Sequence, residues 1–203
     1  LAALAARRLD AVVLGAVHSD YEPTWIERLS ADRQIFKPDN LDSFIPGELG
    51  VFLVLVAADL ARRLGRPPMA AVVASAAGIE AATADNDRSS YEALGLTQAV
   101  RGVTGEMIEA GTTAGWAITD LTFEHHRVHE WQAMLVRTRK AWSEPYVVDS
   151  PAQRLGQTGA AAIPLGMALA AVGWRHGSAP APVAVVHGSS GGGDRGAVLL
   201  ARP

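Results

Sequence analysis

Three histidines and two glutamates cluster in one short stretch, and their side chains could bind a metal ion or carry protons. His125, His126 and His129 lie between Glu124 and Glu130. Positions 125 and 129 are four apart, so they share one face of a helix. The His-Glu-x-x-His pattern of zinc enzymes is missing, and no third ligand is identifiable. We therefore predict a solvated helix end, with a metal at these histidines as the alternative.

A glycine-rich segment near the end of the chain is the second candidate, GSSGGGDRG at residues 188–196. A phosphate-binding loop ends in Gly-Lys-Ser/Thr, and a dinucleotide-binding loop lies between a strand and a helix. This segment lacks the lysine and lies between two apolar runs of strand character. We predict a flexible hairpin turn, with close packing of its backbone beside a site as the alternative.

The turn Pro-Gly-Glu at residues 46–48 leads directly into the apolar run LGVFLVLV. Such a turn at the start of a buried strand is uncommon. Its simplest explanation is turn chemistry, in which Gly47 takes a positive φ angle.

The composition narrows the possible chemistry. The chain has 203 residues, of which 49% are hydrophobic, a net charge of −3 and no cysteine. Disulfides, thiolate metal sites and a thiol nucleophile are therefore absent from these residues, and the mixed charges do not favour a nucleic-acid partner. No secretory signal is visible, and the longest uncharged apolar stretch, residues 159–174, is too short to span a bilayer. We expect a cytoplasmic protein without a membrane partner.

The elements that must position these residues alternate between helix and strand. Apolar runs predict strands at 10–17, 49–58, 69–78, 116–123 and, as a pair, 182–203. Helical patterns cover residues 1–9, 24–30, 96–111, 126–142 and 158–176, and the polar composition of residues 79–92 predicts a surface loop. Because the strands are continuous apolar runs, typical of buried parallel strands, we predict α/β layers around a sheet buried on both faces.

Four blocks of this sequence occur in an order and spacing that resemble a known family. They are LDAVVLGAVHSDYEPTWIERLSADRQIFKPDN, DSFIPGELGVFLVLV, LGQTGAAAIPLGMALAAVGWRHG and VHGSSGGGDRGAVLL. Together they resemble the later part of a β-ketoacyl-acyl-carrier-protein synthase, a member of the thiolase-like superfamily. The second block is similar to the family pattern Asp-Gly-Phe-x-x-Gly-Glu-Gly-Ala-Gly, and the third to its Gly-His-x-x-Gly-Ala-Ala-Gly helix.

The resemblance implies an α/β fold of thiolase-like layered αβαβα architecture, incomplete at the N-terminus. Residues 1–78 would end the N-terminal half of the fold, and residues 79–203 would form the C-terminal half. The first residue, Leu1, lies in a helix-like segment that looks already under way. We therefore expect further residues upstream.

The resemblance also implies decarboxylative condensation, for which the family uses a cysteine, two histidines and a lysine. The cysteine would lie before residue 1. The first family histidine follows a strand in the pattern Asn-Ala-His-Gly-Thr. The matching strand here places Thr122 at the position of that histidine, although a different register would place His125 there. Gln157 stands at the second histidine and Ala152 at the lysine. The phenylalanine that gates the family's terminal loop has no counterpart in GSSGGGD.

Three interpretations follow from these departures. In the first, the protein is catalytically degenerate and acts as a partner or scaffold that binds acyl carrier protein or an acyl thioester, as a homodimer or in a heterodimer with a related synthase subunit. In the second, it is an active acyltransferase with an upstream cysteine and an imidazole from His125, His126 or His187. In the third, it is an unrelated α/β binding module. We expect no cofactor, and we predict that Thr122, Ala152 and Gln157 converge on one pocket.

Overall fold

A computed structural model describes residues 4 and 6 and the ranges 8–83 and 92–203. Five of the nine residues of the predicted first helix, and residues 84–91 of the predicted loop, lie outside the described residues. The strands are β1 Ala11–Ser19, β2 Glu48–Val56, β3 Ala71–Ile79, β4 Ala114–Thr119, β5 Trp142–Asp149, β6 Val183–Ser189 and β7 Asp194–Ala201. The α-helices are α1 Pro23–Ala31, α2 Ala58–Arg63, α3 Leu94–Glu109, α4 His125–Arg137, α5 Ala152–Leu155 and α6 Ala162–His176, with 3-10 turns at Arg139–Ala141 and Gly159–Ala161.

The described strands form two sheets. Strands β1 and β2 pair antiparallel as a two-stranded sheet, and the other five follow the order β3-β7-β6-β4-β5. In the larger sheet β4 is parallel to both β5 and β6, whereas β7 is antiparallel to β6 and β3. The glycine-rich segment is the turn between β6 and β7, which confirms the predicted hairpin.

Helix α6 lies between the two sheets and holds them together. Its Met167, Ala170 and Trp174 belong to a core that includes side chains of β4, β6 and β7, while Leu165 packs with Val51 of β2. On the opposite face of the larger sheet, α3 and α4 cover a separate core. The order of layers is therefore the β1–β2 sheet, α6, the five-stranded sheet, and α3 with α4. This confirms the predicted α/β layers.

The first two strands differ from their predicted environment. They are antiparallel, and alternate side chains on both point away from α6. Val13, Val17, Phe52 and Val54 are 67–71% exposed. The prediction of buried parallel strands was wrong here because a continuous apolar run does not distinguish a strand covered on both faces from one covered on a single face. It was also wrong for β3, which is antiparallel to β7 and exposes alternate side chains. It holds for β4, which is parallel to both neighbours and almost entirely buried, whereas β6 is buried but antiparallel to β7.

Strand β5 was missed in the sequence, where a helix was predicted up to residue 142. The helix ends at Arg137, and Trp142–Asp149 forms the outer strand of the larger sheet. Its sequence contains Pro145, which lacks an amide hydrogen and therefore argues against a strand at this place. Proline is tolerated on an edge strand because one side of that strand has no ladder to join.

The predicted boundary between two thiolase-like halves, at residues 78 and 79, falls at the end of β3. That strand pairs along its length with β7 of the larger sheet. The change from one sheet to the other therefore lies between β2 and β3, in residues 57–70. The division into two halves itself stays a prediction. In the part of the chain that the structure describes, no helix combines the length and apolar character needed to cross a membrane.

Candidate functional site

A small cavity lies where the end of β4, the start of α4, the turn before α6 and the end of β6 meet. Its volume is about 20 Å³, which is room for about one water molecule. The lining residues are Asp120, Thr122, Arg127, Gln157, Thr158, Gly159 and Ser189. Two of the three predicted family positions, Thr122 and Gln157, therefore share one cavity, whose described lining contains no imidazole and no ammonium group.

The carboxylate of Asp120 is the anionic centre of this cavity. Its Oδ2 accepts hydrogen bonds from the Ser189 backbone N–H at 2.8 Å and from Nη1 of Arg127 at 3.1 Å. Nη1 also donates to the Ser189 carbonyl at 3.1 Å. Arg127 Nε lies 3.1 Å from a Glu124 oxygen, although the two are not aligned for a hydrogen bond.

The guanidinium of Arg127 is held in its charged form. Burial alone would lower its pKa, but the negative charges of Asp120 and Glu124 outweigh burial and raise the pKa. The cavity is therefore a closed, charge-compensated arrangement in which both partners of the Asp120–Arg127 pair are already committed to one another.

A second ion pair lies behind the cavity and is almost completely buried. Arg195 Nε donates to Glu130 Oε1 at 2.5 Å, and the two side chains are 4% and 2% exposed. The other oxygen of Glu130 accepts from the Ser189 hydroxyl at 2.8 Å. Because Ser189 also bonds Asp120 through its backbone, it connects the two ion pairs. The glycine-rich hairpin is thus tied to the site by buried charges.

Close backbone contact with the turn before β2 fixes the position of Gln157. Its N–H donates to the Ile45 carbonyl at 2.6 Å, and a Cβ added to Gly47 would lie 2.3 Å from the Gln157 carbonyl oxygen. Gly156 fits against Gly47 in the same way and has a φ of +85°. Gly47 does not have the positive φ suggested for it. Its absent side chain is needed for the approach of two backbone segments.

His18, which the sequence analysis did not consider, lies next to the site on the side of the β1–β2 sheet. The His18 ring lies against Gly159, where an added Cβ would meet Nδ1 at 2.3 Å. Its Nε2 is 3.1 Å from Oδ2 of Asp20. Asp20 is buried and also accepts from the Gly47 amide at 3.2 Å and the Trp25 indole at 3.2 Å. This imidazole is outside the described cavity lining, but it fixes the turn that supports it.

The remaining predicted site residues lie in different environments. Ala152 is buried at 3% exposure but is not among the cavity's lining residues. Thr122 donates its hydroxyl hydrogen to Glu124 at 2.7 Å. The predicted convergence of three positions is thus found for Thr122 and Gln157, and what these residues do stays a prediction.

The alternative histidines do not line the cavity. His125 has an 86% exposed side chain, and its Nδ1 lies 3.1 Å from Asp42 on the surface. His126 and His129 follow on the same helix, and the described residues contain no group of three or more His, Asp or Glu side chains placed to hold a metal ion. His187 lies within β6 at 1% exposure, and neither of its ring nitrogens has a hydrogen-bond partner among the described residues.

Burial of His187 predicts a pH-dependent stability. Desolvation lowers its pKa from 6.5 to about 4, although the charge of Asp120 acts in the opposite direction. The unfolded chain therefore takes up a proton near pH 6.5 that the folded protein takes up only near pH 4. Stability is full above pH 6.5 and falls as the pH drops towards 4, with a loss of about 2 kcal/mol between pH 7.5 and 5.

Urea unfolding of the wild type and of His187→Gln at these two pH values measures this loss. The variant should lack the histidine's share of the pH dependence, whereas the surface control His125→Asn should keep it. An equal pH dependence in the wild type and His187→Gln would contradict a neutral, buried imidazole.

Sequence reasoning missed the charged centre of the site, Asp120 and Arg127. Glu130 was named only with the histidine cluster, and Ser189 and Arg195 lie in the segment 188–196, for which close packing beside a site was the alternative. Asp120, Arg127 and Ser189 line the cavity, and Glu130 and Arg195 support it. One signal was available: Asp120 directly follows the apolar strand WAIT, a place where a charged side chain reaches the edge of the sheet. The pairing of Glu130 with Arg195, 65 positions apart, has no local signal.

Comparison with solved structures identifies the fold. The chain superposes on the ketosynthase from module 6 of the bacillaene synthase of Bacillus subtilis 168 with a TM-score of 0.82 and 15% identity, over 100% of this chain and 44% of that one. The ishigamide ketosynthase/chain length factor gives a TM-score of 0.79 and 17% identity, over 100% and 56%. A type II polyketide synthase acyl-carrier protein complex with its ketosynthase, bound to the hexaketide, gives 0.79 and 13%, over 100% and 58%.

These likenesses establish that the chain has the thiolase-like fold of ketosynthases and chain length factors, as the sequence predicted. No protein-family model matches the chain, and no curated protein is similar to it in sequence. The chain spans about half the length of the solved structures it matches.

Proposed function

We propose that this ketosynthase-like protein is catalytically degenerate and acts as a partner or scaffold subunit in acyl-thioester condensation. The observation that supports this most directly is the cavity between Asp120 and Gln157, with a volume of about 20 Å³ and a described lining without histidine or lysine. Condensation of a malonyl thioester needs neutral imidazoles that donate hydrogen bonds to a developing enolate oxyanion. We infer that the described lining does not supply them, because it contains no imidazole and its remaining neutral side-chain donors are amide and hydroxyl groups.

The charges and hydrogen-bonding groups of the lining explain why we propose that it does not support condensation. The Asp120 carboxylate would repel an oxyanion, and its partner Arg127 is neutralised by two carboxylates. The Gln157 amide can donate a hydrogen bond but exchanges no proton near neutral pH. The resemblance places Thr122 at the first family histidine and Gln157 at the second. On this alignment both imidazoles are replaced.

The exposed apolar face of the β1–β2 sheet supports the proposal that this protein works together with a further protein layer. Its outer face exposes Val13, Val17, Phe52 and Val54, and a two-stranded sheet is marginally stable by itself. We propose that this face packs against the remaining part of a thiolase fold, with a boundary between residues 57 and 70. The solved neighbours include a ketosynthase in complex with an acyl carrier protein and a ketosynthase/chain length factor. By analogy we propose an acyl carrier protein and a homodimer or heterodimer with a synthase subunit as partners.

Covalent labelling tests the proposal. We expect that the purified protein, incubated with a radiolabelled acyl thioester or a cerulenin-type inhibitor, carries no label that survives denaturation, while an active ketosynthase treated in parallel is labelled. Acyl carrier protein should still bind to it in a pull-down experiment. Stable labelling of one residue would instead favour an active acyltransferase, the second candidate, whose nucleophile would lie outside residues 1–203. Absence of both labelling and carrier binding would contradict the proposed partner role; an unrelated α/β module is already excluded by the thiolase-like fold.

A further inference from the structure

A cleft that shares no lining residue with the cavity around Asp120 and Gln157, here named the β4–α6 cavity, has a strongly one-sided charge. It has a volume of about 400 Å³ and lies where the segment before β3, the C-terminal end of α6 and the residues after β7 meet. Its lining consists of Arg66, Pro67, Pro68, Met69, Trp174, Arg175, Arg202 and Pro203. This volume is within the range of pockets that hold small organic ligands.

The three arginines of this cleft come from three separate segments. All the charged side chains among its described lining residues are arginines, although the whole chain has a net charge of −3. None of the three forms an ion pair with a described residue, in contrast to Arg127 and Arg195. Arg175 also lies in the last turn of α6, where a cation is favourable beside the helix dipole. That explanation does not apply to Arg66 or Arg202.

The walls of the cleft are apolar and fixed. The Trp174 indole N–H donates to the Ala181 carbonyl at 2.7 Å, and its ring stands edge-on to Trp116 at 6.2 Å between centroids. The Arg202 backbone N–H donates to Pro182 at 2.8 Å. Two consecutive prolines restrict the backbone of the opposite wall. The cleft therefore combines an apolar floor with three guanidinium groups that form no ion pair with a described residue.

We propose that this cleft binds a small organic anion in which a phosphate or carboxylate group is attached to an apolar body. Guanidinium groups bind oxyanions through charge-assisted, often bidentate hydrogen bonds, and the Trp174–Met69 side of the cleft covers the apolar part. The proposal goes beyond the partner role above and does not depend on it, because no residue of the cleft lines the β4–α6 cavity.

Titration with phenyl phosphate, followed by the NMR signal of the Trp174 indole N–H, tests the proposal. We expect a saturable shift that weakens with salt, a weaker response to inorganic phosphate, and none to benzyl alcohol. In the triple variant Arg66→Gln/Arg175→Gln/Arg202→Gln the affinity should fall at least about tenfold, since three charge-assisted contacts are lost. The matched control, Arg62→Gln/Arg63→Gln/Arg139→Gln, removes the same charge from exposed arginines outside the cleft and should bind as the wild type does.

Three results would overturn the proposal. The first is the lack of a saturable shift in the wild type. The second is equal affinity in the wild type and the cleft variant, which would place binding elsewhere. The third is co-sedimentation with phosphatidylglycerol vesicles without binding of phenyl phosphate, which would identify the arginines as a membrane-surface patch. Because acyl labelling is not measured here, failure of this proposal is distinguishable from failure of the proposed partner role.

Discussion

Replacement of Glu130 by alanine is expected to lower the free energy of unfolding by about 3–5 kcal/mol, because removal of one member of a buried ion pair leaves the other charge uncompensated. Arg195 is 4% exposed at its side chain and, among the described residues, would keep only the Ser190 and Asp194 backbone carbonyls as partners. The Ser189 hydroxyl would lose its acceptor in the same change. Chemical denaturation of the wild type and Glu130→Ala measures the effect.

Two further variants make this result specific. Glu109→Ala removes an exposed glutamate at the end of α3 and should change stability by no more than about 0.5 kcal/mol. The double variant Glu130→Met/Arg195→Met removes both charges and should recover most of the loss, since well-packed apolar groups can replace a buried pair. A loss below about 1 kcal/mol in Glu130→Ala would show that water reaches this pair and that it does not anchor the glycine-rich hairpin.

Replacement of Gly47 by alanine is expected to cost about 3 kcal/mol, at the upper end of the range for overpacking. The new Cβ would lie 2.3 Å from the Gln157 carbonyl oxygen, 2.8 Å from the Gly156 carbonyl carbon and 3.0 Å from the Gln157 nitrogen. All three are backbone atoms, so no side-chain rotation relieves the clash. The turn before α6 must move away from β2, and the hydrogen bond from Gln157 to Ile45 lengthens with it.

Gly50→Ala, three residues further along in β2, is the matched control. A Cβ there would have its nearest neighbours at 3.9 and 4.0 Å, and alanine is slightly better than glycine inside a strand. Thermal unfolding should therefore show a large fall in midpoint for Gly47→Ala and a change within about 0.5 kcal/mol for Gly50→Ala. Equal effects of the two substitutions would mean that the Gly47–Gln157 contact is not present in solution.

The sequence predicted the architecture better than the environment of single strands. The alternation of apolar runs and helices led to the layered α/β fold, and the glycine-rich turn between β6 and β7 lay where expected. The pairing of β1 with β2 was not predictable from apolar content, because both orientations use the same residue types. Strand β5 was hidden by Pro145, whose position on the edge of the sheet is a property of the assembled fold.

For the candidate site, local sequence patterns identified the segment around Gln157 but not the charged side chains that form ion pairs there. Gln157 was identified through the short motif around it, and the structure places it beside Thr122. Asp120 was not predicted, because the family pattern was matched to Thr122, two residues further on. Arg127 was not considered, and its burial depends on contacts with Asp120 and with the Ser189 carbonyl, 62 positions away in the sequence. Contacts between residues this far apart in the sequence leave no local motif from which they could be predicted.

The measurement that tests the central claim most directly is release of labelled carbon dioxide from a malonyl thioester. The central claim is that the site between β4 and α6 lacks the groups that decarboxylate such a substrate. We predict release no faster than in buffer for the wild type, and no change when Gln157 is replaced by alanine. Release above the buffer rate that is lost in Gln157→Ala would contradict the claim and show that this site supports condensation chemistry.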